Sequence, residues 1–244
     1  MNHLSQFTPG KRKNILSAVV AVTSNENALA QYRKQMIEDI NSFNADQKQQ
    51  TMTDKQKENW ISQKDMVALF RQTEKDVQPL WNKTDLTQIE IQRLMKFVVL
   101  ACYVLIPPRR LQDYIYFKVR NVDTERDNYV SGRSFVFNKY KTSKTYGQQR
   151  VQIPTKLHSI VLRWTKKGLS DYLVFNSKGL QLTQPQLTIL LNSIFGKKFS
   201  VNGLRHTFIT DKVLANTPAL TKLEQTAADM GHSVGTQQLY RKLG

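Results

Sequence analysis

The sequence predicts a mostly α-helical α+β fold with one small antiparallel β-sheet. Three features carry that prediction. Helix-start signals recur before apolar periodic runs, a long apolar run stops at Pro107-Pro108, and a single tract, residues 134–154, has the alternation of strands. With 244 residues the chain can bury a sizeable core in one or two domains. A short helical segment and linker are expected over residues 1–57, and a larger domain over 58–244.

Residues 1–13 are polar and basic and read as a flexible arm, followed by the apolar segment Asn14–Val22. Thr23 and Glu26 have the spacing of a capping box, in which side chains satisfy the orphan N–H groups of a helix start. A helix is expected from there to about Phe43, with Leu29, Tyr32, Met36 and Ile40 on one face. Asn44–Lys57 is polar without periodicity and reads as a linker. Ser62 and Asp65 open a helix bearing Met66, Leu69 and Phe70. Thr87 and Glu90 form a second capping box before a long apolar helix. Two consecutive prolines cannot continue that helix, so Arg109 and Arg110 sit just past its end. Ser134–Tyr140 and Arg150–Pro154 read as two strands joined by a basic tip, Lys141–Gln149, which contains Gly147. Helical patterns return from Lys156, with breaks at Gly179, 196–198 and 216–218.

Lys and Arg number 36 against 19 Asp and Glu, a net charge of +17. Such an excess favours a polyanionic partner through Coulomb attraction and counterion release. The charge is not confined to a tail. Asn128–Lys167 contains no Asp or Glu, and its nine Lys and Arg residues are interleaved with Tyr129, Phe135, Phe137, Tyr140, Tyr146 and Trp164. At 40% hydrophobic residues the composition is that of a folded chain. The one cysteine, Cys102, excludes a disulfide framework and a Cys-rich zinc centre. The first thirteen residues lack an apolar core, and the longest apolar stretch, Phe97–Ile106, is about half a membrane span. There is no basic amphipathic helix or lipidation motif. A soluble intracellular protein is expected, with no membrane partner.

Four segments carry phosphate-binding or proton-transfer groups: Pro107-Pro-Arg-Arg-Leu-Gln-Asp113, the tip with Lys141 and Lys144, Asn202-Gly-Leu-Arg-His-Thr-Phe-Ile-Thr210, and Met230-Gly-His-Ser-Val-Gly-Thr-Gln-Gln-Leu-Tyr240. In order and composition they resemble the tyrosine recombinase (phage integrase) family, over roughly Asn59–Gly244. Within it the appearance is closest to integrases of virophages and related large-DNA-virus elements. The Leu-Arg-His-Thr-Phe and Gly-His-Ser…Tyr segments in this order are specific; either alone would be weak.

The resemblance implies a recombinase catalytic domain preceded by a short helical DNA clamp. It implies double-stranded DNA as the partner, a homo-oligomer on DNA (dimer or tetramer), and no cofactor, metal or small-molecule substrate. A tyrosine hydroxyl attacks the scissile phosphate and forms a 3′-phosphotyrosyl link. Planar guanidinium groups suit the charge that grows on the phosphate, and a mobile lysine suits the proton needed by the leaving oxygen. Arg110 fits the family's Arg-x-x-Glu with Asp113 in the acidic place, where it would orient the arginine; Arg109 is the rival. Lys141 and Lys144 both fit the hairpin lysine, and Lys141 is preferred because it lies nearer the strand end. Arg205 matches the second arginine, with Leu204, Phe208 and Ile209 as the anchoring apolar face.

Asn202 stands where the family most often has histidine. It can position a phosphate but cannot serve as a base near neutral pH. His232 would bond a nonbridging oxygen, and Tyr240, eight residues later and one closer than is usual, would be the nucleophile. His206 is a phosphate-contacting or packing residue. Tyr140 and Tyr146 would touch DNA. Lys11, Arg12, Lys13, Lys139 and Arg150 would bind the duplex. Four residues follow Tyr240, so an exchange of a helix beyond it between protomers is not expected. Two alternatives remain open at this stage: a type IB topoisomerase-like relaxing enzyme, and a catalytically silent DNA-binding protein of the same fold.

Overall fold

A computed structural model describes residues 2–198, 200–215, 217–230 and 233–235, without the side chains of Asn2 and Ala228. The chain divides into two compact units, one of residues 1–53 and 216–244, the other of residues 54–215.

In the first unit α1 (Pro9–Val22) begins with proline, whose missing N–H is no loss at a helix start. The stretch read as a free arm is therefore helical from Pro9, behind a 3₁₀ turn at Asn2–Leu4. Thr23 closes α1, and its Oγ1 donates to Val19 O at 2.7 Å. With Thr23 spent on the preceding helix, Asn25 caps α2 (Glu26–Lys48) by accepting from Ala28 N at 3.0 Å. The continuation past Phe43 uses Ala45, Gln47 and Lys48, good helix formers with no glycine or proline among them. Helices α1 and α2 pack on each other and bury Leu16. Arg12 grips Asp39 in a fork, Nε to Oδ2 at 2.7 Å and Nη2 to Oδ1 at 2.5 Å. This hydrogen bond holds the Asp39 carboxyl below the usual carboxylate range.

The second unit begins with α3 (Asp54–Asn59), which starts inside the stretch expected to be linker and runs two residues past it. The start of α4 (Gln63–Val77) is capped by Ser62 as expected. After a 3₁₀ turn at Gln78–Asn82 comes α5 (Gln88–Val104), with the full Thr87–Glu90 capping box. Bonds from Lys83 and Thr87 lower the Glu90 carboxyl to about 2. Every residue from Phe97 to Val104 is buried, as befits a helix that is apolar all round and covered by α4 and two later helices. Those are α8 (Thr155–Lys166) and α9 (Gln184–Phe195), which follow α6 (Leu111–Ile115) and α7 (Ser143–Tyr146). On α8, Leu157, Ile160, Val161 and Trp164 face the core at helical spacing, and Trp164 Nε1 donates to Leu173 O at 2.9 Å. Phe70 stacks on Phe97 at 5.3 Å. Cys102 lies inside α5, and burial pushes its thiol up to about 12.

The sheet has four strands in sequence order: β1 (Phe117–Lys118), β2 (Asn128–Ser131), β3 (Ser134–Phe137) and β4 (Gln149–Gln152). Pairs β2–β3 and β3–β4 are antiparallel, but β1–β2 is parallel, so the sheet is mixed rather than antiparallel throughout. The first pair escapes a sequence reading because β1 has two residues and β2 lacks alternation of burial. Gly132, at φ +54°, makes the two-residue turn from β2 to β3. Phe117, Phe135 and Phe137 form a wholly buried ring cluster beneath the sheet, with centroids 4.8, 6.0 and 6.2 Å apart.

Then α10 (Val201–Phe208) runs into a π-helical turn, Ile209–Val213. The last helix, α11 (Leu220–Asp229), belongs to the first unit, where Lys48 pairs with Glu224 at 3.1 Å and Leu220 N donates to Gln50 Oε1 at 2.9 Å. Among the described residues no helix is long and apolar enough to cross a membrane.

Candidate functional site

The double proline ends α5, and the chain turns through Arg109 and Arg110 into α6, whose N-cap is Arg110. Buried Tyr114 and Ile115 root α6 in the core, and Tyr114 Oη donates to Cys102 O at 3.2 Å. The arginine turn thus stands on the most buried helix of the unit.

Asp113 is 3% exposed, and its carboxylate pairs with the side chain of Arg109, not that of Arg110: Arg109 Nε donates to Asp113 Oδ2 at 2.8 Å. Arg109 also donates from Nη2 to Gln149 Oε1 at 3.1 Å, and its guanidinium lies 3.9 Å over the Phe137 ring. The orienting partner expected for Arg110 therefore serves its neighbour. Arg110 is half-buried, and its side chain makes no hydrogen bond or ion pair among the described residues.

Burial pushes the Asp113 carboxyl up, against the pull of Arg109 and Arg110. Its Oδ1 has no partner among the described residues. Because the folded pKa lies above the unfolded one, the stability this group contributes is present below its unfolded value, about pH 3.9, and is lost as pH rises through the folded value. Asp113→Asn should therefore raise stability at pH 7 and flatten its fall above about pH 4, as read by denaturant midpoints across pH. A lower midpoint at pH 7 would show that the Arg109 pair outweighs the burial cost.

The tip between β3 and β4 departs from expectation. Strand β3 stops at Phe137, and the tip carries the single-turn helix α7. Tyr140 is buried, and its Oη donates to Gly147 O at 2.8 Å, so it shapes the loop rather than facing outward. Tyr146 is 67% exposed. Lys141 and Lys144 are both exposed, Lys141 in a turn and Lys144 in α7, so neither continues a strand. Lys139 is exposed with its Nζ 4.0 Å over the Tyr116 ring, and Arg150 is exposed on β4.

Helix α10 places Arg205 half-buried, with Asn202 and His206 exposed. Its anchors are Leu204 and Thr207, both 0% exposed, and Thr207 Oγ1 donates to Ile61 O at 2.9 Å. The predicted apolar anchor is only partly realised: Phe208 is half-buried and Ile209 exposed, because at about 100° per residue Ile209 falls on the side of the helix opposite Leu204 and Thr207. His232 and Tyr240 lie outside the described residues.

On the first unit, Lys11 lies over Phe7 at 4.2 Å and Lys13 over Phe43 at 3.6 Å, while Arg12 is taken up by Asp39. Of these three cations Arg12 is the one with an ion pair among the described residues.

No protein-family model and no curated protein matches the chain. Among solved structures it is similar to one described as the crystal structure of XerA recombinase, at 17% identity and a TM-score of 0.44. That alignment covers 97% of this chain and 77% of the other.

Proposed function

We propose that the chain is a site-specific DNA recombinase that cleaves and rejoins strands through Tyr240. The finer resemblance to virophage-type integrases makes integration of a mobile element the form of recombination proposed. The observation that carries the reading is the union of two motif segments: the arginine turn at 109–110 is tied to the lysine-bearing hairpin through Asp113, Gln149 and the buried Asn128. A guanidinium and an ammonium carried on segments bonded to each other suit one phosphate.

In the proposed step the Tyr240 phenol oxygen bonds phosphorus and releases its proton to solvent. The bond from phosphorus to the 5′-oxygen breaks, and the leaving oxygen takes a proton from Lys141, with Lys144 the rival donor. Arg110 and Arg205 hold the nonbridging oxygens as charge grows on them, His232 donates to one of them, and Asn202 positions the phosphate. Asp113 steadies the arginine turn. A 5′-hydroxyl attacks the phosphotyrosine in reverse, so the bond energy is kept and no nucleotide cofactor is needed. Lys11, Lys13, Lys139, Arg150 and His206 would hold the duplex through phosphate contacts, in a dimer or tetramer assembled on DNA.

The test uses a pool of nicked duplexes of randomised sequence, incubated with the protein and run on a denaturing gel. A covalent adduct is expected, its formation unchanged by chelator, and its linked peptide should map to Tyr240. Failure of any sequence in the pool to become attached would leave only a DNA-binding role. Relaxation of supercoiled plasmid without joining of two duplexes would point to a topoisomerase-like activity.

A further inference from the structure

Asn128, at the start of β2, is 0% exposed, and its carboxamide makes four hydrogen bonds. Nδ2 donates to Asp113 O and to Lys139 O, both at 2.8 Å. Oδ1 accepts from Asn138 N at 2.9 Å and from Lys139 N at 2.7 Å. That saturates both donors and both acceptor sites of an amide. The bonds run to two places: α6, which Arg110 caps, and the residues where the chain leaves β3 for Lys141 and Lys144. The return of the chain is fastened to the same turn, because Arg109 donates to Gln149 Oε1 at 3.1 Å at the start of β4. Between these two fastenings, Tyr140 Oη bonds Gly147 O and Gln148 Nε2 bonds Asn138 Oδ1, each at 2.8 Å, which closes the excursion on itself.

We infer that Asn128 is a positioning residue, which sets the hairpin lysine against the phosphate held at the Arg110 turn. The inference rests on the strand-transfer reading above and adds to it the device that registers the general acid. A carboxamide suits the place because it alone among side chains of its size supplies two donors and two acceptors together. The substitution Asn128→Asp would keep the acceptors for Asn138 N and Lys139 N and turn a carboxylate toward two carbonyls. The strand exit would stay bonded while its tie to α6 is lost.

Misplacement by about 1 Å costs a catalytic group about a hundredfold in rate, and a displaced general acid harms only protonation of the leaving oxygen. A duplex recovered from the adduct pool is therefore synthesised with either oxygen or sulfur at the bridging 5′ position. With sulfur, the Tyr240 oxygen bonds phosphorus, the P–S bond breaks and a thiolate departs without needing a proton. Asn128→Asp should cleave the oxygen duplex about a hundredfold more slowly than the parent protein and the sulfur duplex at nearly the parent rate. Gln149→Leu, at a half-buried site that puts less at risk in folding, should show the same pattern at about tenfold.

Equal slowing on both duplexes by the folded variants would assign these residues a merely structural role and overturn the inference, as would parent rates on both. A parent protein that cleaves neither duplex would instead sink the strand-transfer reading, and this inference with it.

Discussion

Tyr240→Phe is expected to abolish the covalent DNA adduct, and Arg205→Ala to slow its formation by about a thousandfold, while duplex binding by both stays close to that of the parent protein. The phenylalanine differs by the one oxygen that would bond phosphorus, so no slower route to the adduct remains. For arginine the size of the effect comes from where its charge acts. The phosphate gains charge only on the way to the five-coordinate state, so the guanidinium contributes mainly there and little to ground-state affinity. The fold should tolerate the loss. Leu204 and the Thr207–Ile61 bond anchor α10, and the half-buried Arg205 side chain makes no hydrogen bond or ion pair among the described residues.

Binding should persist because it is spread over many cations within a net charge of +17, of which one is removed. It should weaken for every variant alike as salt rises. Single-turnover adduct formation on a gel, set beside a binding isotherm at fixed salt, separates the two quantities. A parallel loss of adduct and affinity in Arg205→Ala would make Arg205 a duplex-holding residue. An adduct that persists in Tyr240→Phe would move the nucleophile elsewhere.

Phe117→Ala should destabilise the second unit by about 3–5 kcal/mol. Phe117 is 0% exposed and touches both Phe135 and Phe137, so its removal leaves a cavity lined by two aromatic rings rather than a gap that neighbours can close. Two edge-to-face contacts are lost as well, worth roughly 0.5–1.5 kcal/mol each in well-packed sites and not fully additive with burial. The loss should also reach the arginine turn, since the Arg109 guanidinium rests on the Phe137 ring at 3.9 Å. Denaturant unfolding gives the stability change, and Phe117→Leu, which refills most of the space, should recover much of it. A cost below about 1 kcal/mol would mean that the ring cluster collapses around the gap.

Much of the helical scaffold was legible from local rules. The Ser62 cap, the Thr87–Glu90 box and the stop at Pro107-Pro108 depend on neighbours within four residues, and they stand where the sequence puts them. Thr23 shows how such a rule fails. Its capping spacing to Glu26 is sound, but its hydroxyl is claimed by Val19 of a helix whose length the local pattern did not reveal. The parallel β1–β2 pair depends on a partner eleven residues away and on two-residue matching, below the reach of any periodicity.

At the candidate site, residue types were legible and pairings were not. Arg109, Arg110 and Asp113 were all marked, yet Arg109 meets the carboxylate while it is also held by Gln149 and the Phe137 ring, partners far along the chain. Asn128 and Gln149 carried no signal. A buried asparagine before Tyr129-Val130 reads in sequence like any polar residue ahead of a strand, and its worth lies in bonds to residues 15 and 11 positions away.

Cys102 gives the protein a practical quality. A lone thiol held inside α5, with its pKa pushed up to about 12, is almost wholly un-ionised at neutral pH and shielded from reagents. The native chain is therefore a blank background for thiol chemistry. One cysteine introduced at an exposed place, such as the hairpin tip at Tyr146, becomes the single address for a fluorophore or cross-linker. The hairpin can then be followed against a duplex without first stripping the chain of its own sulfur.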